Sequence, residues 1–213
     1  MHPPSLSIRT LAACFCGALL SATLQAGQLT ATVVDADGKP LIDAAVYLLP
    51  KGSVTLPAPR AAEIDQKDRA FIPAVTIVQT GAAVHFPNSD NIRHQVYSFS
   101  PARTFNLKLY SGRPANPVIF DKPGSVVLGC NIHDLMAAWV LVVDTPWFGR
   151  TNDSGVATLA DVPDGDYTLQ AWHPGQRKEA EEQNISITGN ATRQLTVDAA
   201  SITTGMTHTG GSH

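Results

Sequence analysis

Val126–Val143 reads VVLGCNIHDLMAAWVLVV, and the fold turns on this stretch. Val126–Cys130 is a short apolar run rich in β-branched residues. Ala138–Val143 is another. Each has the length of a strand and is too short for a helix. Seven residues with one histidine and one methionine among them join the two runs, so the segment predicts strand, loop, strand. Working outward, the same signal recurs at Ala74–Gln79, Ala83–Phe86, His94–Phe99, Phe105–Leu109 and Val118–Phe120. Gly81-Ala82, Pro87–Arg93, Gly112-Arg113-Pro114 and Pro123-Gly124 supply the turns. Seven short strands with no helical period predict an all-β protein built on an antiparallel sandwich.

The composition agrees. Charged residues are 15% of the 213, well under the roughly 25% usual in soluble chains. The 16 glycines and 15 prolines follow no period, which excludes collagen. Hydrophobic residues at 44% suffice for a packed core, which excludes a charge-rich disordered chain. No heptad runs anywhere, and no basic stripe points to nucleic acid.

The first residues read as an export leader. Arg9 stands before an apolar stretch, Leu11–Leu24 (LAACFCGALLSATL), and Ala26 closes a short cleavage region. The apolar run is too short to span a bilayer. Leu11-Ala12-Ala13-Cys14 imitates a lipoprotein box, but it precedes most of the apolar run, so lipidation at Cys14 is not expected. Cleavage near Ala26 leaves 187 residues in a periplasmic or secreted protein with no membrane span. Loss of Arg9 takes the basic residues from 15 to 14 against 18 acidic ones, a net charge of −4.

Cleavage also removes Cys14 and Cys16, so Cys130 remains alone. An exported protein with one cysteine has no internal disulfide partner. A free thiol, an intermolecular bridge or a ligand is then expected. Met136, six residues on, is the only methionine between Gly27 and the C-terminal tail.

Cys130, His133 and Met136 form C-x2-H-x2-M, and His94 opens an earlier strand. A thiolate, two imidazoles and a thioether are the ligand set of a blue-copper electron-transfer site. Soft sulfur suits Cu(I), and imidazole suits both oxidation states. A trigonal plane of two nitrogens and one sulfur with a weak axial thioether needs little rearrangement as the electron comes and goes.

These residues resemble the cupredoxins, in particular the plastocyanin, amicyanin and pseudoazurin group. The wider stretch is similar to exported bacterial proteins labelled methylamine-utilisation proteins. That likeness runs through Ile64-Asp65-Gln66, Phe71-Ile72-Pro73, Val84–Asn88, His94–Ser100, Phe120–Gly124, Gly129–Met136 and Asp144-Thr145-Pro146. The resemblance implies one type 1 copper held by His94, Cys130, His133 and Met136. It implies Asn88 as a supporting residue that hydrogen-bonds across to the cysteine-bearing loop, with Asn131 and Gln95 beside the ligands. It also implies a redox protein, a cytochrome or a dehydrogenase, as partner. Two departures stand out: Gln95, where asparagine often follows the first histidine, and Gly129, where an aromatic residue is frequent. No residue speaks for methylamine itself.

Gly27–Leu49 (GQLTATVVDADGKPLIDAAVYLL) and Thr151–Trp172 (TNDSGVATLADVPDGDYTLQAW) resemble a different family, the carboxypeptidase-regulatory-like, transthyretin-like sandwich. The two likenesses imply a cupredoxin Greek-key sandwich, residues 62–144, inserted into a second small immunoglobulin- or transthyretin-like sandwich of residues 27–61 and 145–198. Residues 199–213 are read as a flexible tail.

Blander readings cover the remaining candidates. His85 reads as a solvent-facing strand residue and His173 as a structural histidine of the flanking sandwich. Tyr97, Phe99, Trp139 and Trp147 read as core or rim aromatics, and Leu135, Ala137 and Ala138 as a small apolar rim beside His133. Asp134 reads as a solvated loop acid, and Met206, His208 and His213 as part of a polar tail. G-x-S-x-G, H-E-x-x-H and phosphate-cradling glycine loops are absent from the sequence. A Cys-His nucleophile has no use for Met136. The expectation is an electron carrier and no enzyme; a non-redox copper carrier or store and a structural or adhesive β-module are the competing readings.

Overall fold

The computed structural model describes residues 26–133, 135–179 and 182–200. Residues 1–25, where the export leader is expected, Asp134, and Met206, His208 and His213 lie outside the described residues. Two strands come first, β1 (Ala26–Val34) and β2 (Ala45–Pro50). Next are β3 (Ala62–Glu63), β4 (Asp65–Lys67), β5 (Ala70–Ile72), β6 (Val75–Gln79) and β7 (Ala82–His85). They are followed by β8 (His94–Ser100), β9 (Arg103–Tyr110), β10 (Val118–Phe120), β11 (Gly124–Gly129) and β12 (Ala137–Val143). The last are β13 (Phe148–Arg150), β14 (Val156–Pro163), β15 (Gly165–Trp172), β16 (Gln183–Ile187) and β17 (Ala191–Thr196). Every regular element among the described residues is a strand, as the composition and patterning predict.

Strands β3–β12 make a five-stranded sheet, β6-β12-β11-β8-β9, a three-stranded sheet, β10-β7-β3, and the hairpin β4-β5. Phe86, Phe120, Val96, Val126, Leu128 and Val140 fill one core there. The flanking strands make β14-β1-β17 and β13-β2-β15-β16. Leu29, Val46, Leu48, Leu159, Leu169 and Ile187 fill a second core, with Trp147 edge-on to Tyr167 at 5.5 Å. Period-two alternation is plain in β1, whose every second side chain is buried.

β12 departs from that alternation for a physical reason. Ala138, Val140 and Val142 face the first core. Leu141 and Val143 face the other way, onto Ala45, Tyr47, Phe148 and Trp172 of the flanking strands. A strand covered on both sides reads as a continuous apolar run, which is why residues 137–143 carry so few polar side chains.

Two features differ from the expected antiparallel sandwich. β12–β6, β1–β17 and β3–β7 pair in parallel. Apolar periodicity reports which face a residue takes, and it is blind to strand direction. The hairpin β4–β5 is also new. Its turn is Asp68-Arg69, both residues at positive φ (54° and 59°). Such two-residue turns usually advertise themselves by Asn-Gly or Asp-Gly, and an arginine gives no such signal.

Candidate metal centre

β11 runs antiparallel to β12, and Gly129↔Ala137 is the last pair before the loop. β11 therefore delivers Cys130 to the end of the sheet, where the chain must leave the strand. β8 lies on the other side of β11, meeting it at Gly129↔Tyr97, so His94 at its start comes to the same end. The Cys130 Sγ is 3.8 Å from the His94 Nδ1. One ligand atom each from His94, Cys130 and His133 falls within 4.8 Å of the others. The two imidazole rings are 4.9 Å apart, tilted by 55°. Met136 is buried, and its N–H donates to the His133 carbonyl at 3.0 Å, closing a tight turn between the two residues.

Burial separates the two histidines. His94 is wholly buried, and His133 is half-buried. The His133 Nδ1 is shielded from water and has no hydrogen-bond partner. A buried ring nitrogen left unpaired costs free energy, and a bound cation removes that cost. A metal ion about 2.1 Å from nitrogen and about 2.3 Å from sulfur, at an angle of about 120°, holds its two ligand atoms about 3.8 Å apart. The observed His94–Cys130 separation fits that requirement. The donor set is soft sulfur and imidazole, suited to copper.

The surroundings of His94 were not legible in the sequence. Its Nε2 lies 2.7 Å from Asp90 Oδ2. Asp90 also accepts the N–H of Asp68 at 2.7 Å and the N–H of Arg69 at 3.0 Å, both from the β4–β5 turn. Burial works against the charged form of Asp90. The N–H of Arg69, the His94 ring and the N–H of Asp68 outweigh it and hold the carboxyl below its usual range. The only sequence signal was the four-residue spacing of Asp90 and His94 within a stretch read as a turn.

Asn88 is buried but does not reach the cysteine-bearing loop. Its Nδ2 donates to the carbonyls of Ile92 and Tyr110, each at 2.9 Å, and its Oδ1 accepts the Asp90 N–H at 3.0 Å. The β9 strand and the 88–92 loop are nearer and take all of its bonds, so Asn88 shapes the approach to His94. Gln95 points away from the centre and donates to Asn106 across β8–β9 at 2.7 Å. Asn131 is exposed at the loop tip. Behind the 88–92 loop, the Tyr110 hydroxyl donates to the Phe86 carbonyl at 2.7 Å, and Gln66 donates to Pro87 at 3.2 Å. Burial pushes the Tyr110 hydroxyl up to about 12, so it stays a neutral donor.

Gly129 has a steric explanation. A Cβ there would lie 2.7 Å from the Tyr97 ring and hydroxyl. The ring of a neighbouring strand occupies the space that a side chain before Cys130 would need. Tyr97 and Phe99, with ring centroids 5.2 Å apart, line a groove of about 460 Å³ with Val127, beside Cys130 and Met136. Beside His133, Leu135 and Ile132 are exposed, whereas Ala138 points into the core and takes no part in a rim. His173 is buried in the flanking sandwich, where its Nδ1 accepts the Gly175 N–H at 3.1 Å. Among the described residues, no helix is long and apolar enough to cross a membrane.

No family model and no curated protein matches the chain. Solved structures match parts of it. A purple cupredoxin from Nitrosopumilus maritimus is 18% identical over 38% of this chain and 99% of its own, with a TM-score of 0.34. Amicyanin from Paracoccus versutus is 16% identical over 45% of this chain and 91% of its own, with a TM-score of 0.33. A copper-containing nitrite reductase from Thermus scotoductus is 20% identical over 53% of this chain, with a TM-score of 0.37. Only 28% of that enzyme's length is covered.

Proposed function

We propose that His94, Cys130 and His133, with Met136 as a weak fourth ligand, hold one copper ion, and that the protein carries single electrons between redox partners. The observation that carries this reading is the convergence within 4.8 Å of the Cys130 thiol and the His133 imidazole, from one loop, with the His94 imidazole from an earlier strand. The unpaired, buried His133 Nδ1 supports it. Copper bound there supplies a one-electron couple. The chain's residues do the rest. Cys130 and His94 are presented by two adjacent strands, with Sγ 3.8 Å from Nδ1. His133 and Met136 close over it from one short turn. A site filled by four protein ligands has no open position for substrate, which favours a carrier over an enzyme.

His133 is the ligand nearest solvent, and the exposed Leu135 and Ile132 surround it. We assign electron entry and exit to that edge, with a cytochrome or a dehydrogenase as partner. We further propose that residues 62–144 form a cupredoxin-type unit inserted in a carboxypeptidase-regulatory-like sandwich, and that the protein works after export. The deciding experiment is the visible and EPR spectrum of the copper-loaded protein. An intense thiolate-to-Cu(II) band with a narrow copper hyperfine splitting is expected. A colourless protein under oxidising, copper-replete conditions would overturn the reading.

A further inference from the structure

We infer that Asp90 is a positioning residue for the metal centre and that the Asp68-Arg69 turn holds it in place, an inference that rests on the copper reading. An imidazole has two nitrogens, and the nitrogen that ligates must be free of its proton. In His94 the nitrogen facing Cys130 is Nδ1, while Nε2 faces Asp90 Oδ2 at 2.7 Å. A carboxylate at that distance takes a charge-assisted bond from Nε2–H. The proton is thereby kept on Nε2, Nδ1 keeps its lone pair, and the ring is fixed in rotation.

Asp90 is itself held from three directions. Its two carboxylate oxygens accept the N–H groups of Asp68 and Arg69, and its own N–H donates to Asn88 Oδ1. Asp68 and Arg69 both adopt left-handed backbone conformations, which an arginine adopts at a cost. Those conformations form the turn that offers both N–H groups to one carboxylate. The strain is observed at the point where it orients a ligand, as strain at functional sites does.

His133 offers its unpartnered Nδ1 to a metal, and among the described residues no carboxylate holds its other ring nitrogen. One imidazole is therefore fixed by a carboxylate, and the other is not. The carboxylate also makes His94 a stronger donor. A stronger donor favours the more highly charged Cu(II), so removal of Asp90 should raise the reduction potential.

Two measurements test this. The first needs no metal. Nitrogen NMR of the histidine side chains in metal-free protein should show His94 as the Nε2–H tautomer. An Nδ1–H tautomer or a mixture would overturn the inference even if copper binds. The second compares Asp90→Ala and Asp90→Asn with the unaltered protein after copper loading. Asp90→Ala should weaken Cu(II) binding about tenfold or more and Cu(I) binding less. A tenfold change in that ratio is a rise of about 59 mV for one electron. Asp90→Asn, which keeps an oxygen for Nε2–H, should recover part of the loss. Arg69→Gly keeps the backbone N–H and should leave the potential unchanged. An Asp90→Ala protein that binds copper with unaltered potential and spectrum would reduce Asp90 to a structural role. If the unaltered protein binds no copper, the copper reading fails, while the tautomer measurement still decides the role of Asp90.

Discussion

The two hydrophobic cores of this protein treat buried polar groups in opposite ways. In the flanking one, Thr151 Oγ1 donates to the Leu41 carbonyl and accepts the Ala44 N–H. Trp147 donates to Asp161, Tyr167 donates to Pro163, and His173 accepts from Gly175. Among the described residues, none of its buried side-chain nitrogens or oxygens lacks a partner. Around the other core four do: Gln66 Oε1, Thr76 Oγ1, Arg103 Nε and His133 Nδ1. Proteins tolerate unpaired buried polar atoms sparingly, and violations of local rules gather at functional sites. The first region is finished as a folded object. In the second, one of the four unpaired atoms, His133 Nδ1, belongs to the group where three potential ligands meet. Stability and function therefore divide between the regions, and substitutions should separate them.

The largest effect should come from Cys130→Ser. It should abolish the thiolate-to-copper band completely while costing about 1 kcal/mol of metal-free stability, read by spectroscopy and chemical denaturation on the same preparation. A band that survives would break the comparison at its root. Trp147→Ala should do the reverse. Loss of the Tyr167 contact and of a buried indole should cost roughly 3–5 kcal/mol in denaturation, with the copper spectrum of the folded protein unchanged. A spectral shift would mean that the flanking sandwich shapes the site.

The smallest effect is a pH dependence. Burial holds His173 below the usual histidine value, although the charge of Asp43 and a bond to the Ile42 carbonyl pull the other way. The unfolded chain therefore binds the proton at a higher pH than the folded one. Stability should be constant above about pH 7 and fall as pH drops through the ordinary histidine range near 6.5. His173→Gln should flatten that slope. An unchanged slope would place the pH sensitivity elsewhere.

Much of this arrangement was legible in the sequence. Alternating burial in β1 and the double-sided run of β12 follow from which faces are covered, and apolar spacing records that directly. Cys130 and His133 lie within one loop, so their meeting follows from local spacing. His94 needed only the expectation that its strand begins where β11 ends. Asp90, Gln66 and Tyr110 were not legible. Their partners depend on the 88–92 loop folding onto a hairpin whose turn carries no glycine, and on the pairing of β8 with β9. Asn88 shows the same limit. The resemblance implied a supporting role for it, but its partners are set by the 88–92 loop and by β9, which no spacing within 84–94 reports.

The Gly129↔Ala137 pair has one more consequence. It clamps the base of the Cys130–Met136 loop, and β12 beyond it is pinned between two cores. A loop tied this closely has no slack to open by fraying from its ends. Cys130 and Met136 can move apart only if β11 unzips from β12, and that would strip cover from both cores together. Separation of the two loop ends and global unfolding thus become one rare event, leaving the half-buried His133, in the middle of the loop, as the proposed ligand with the most room to move.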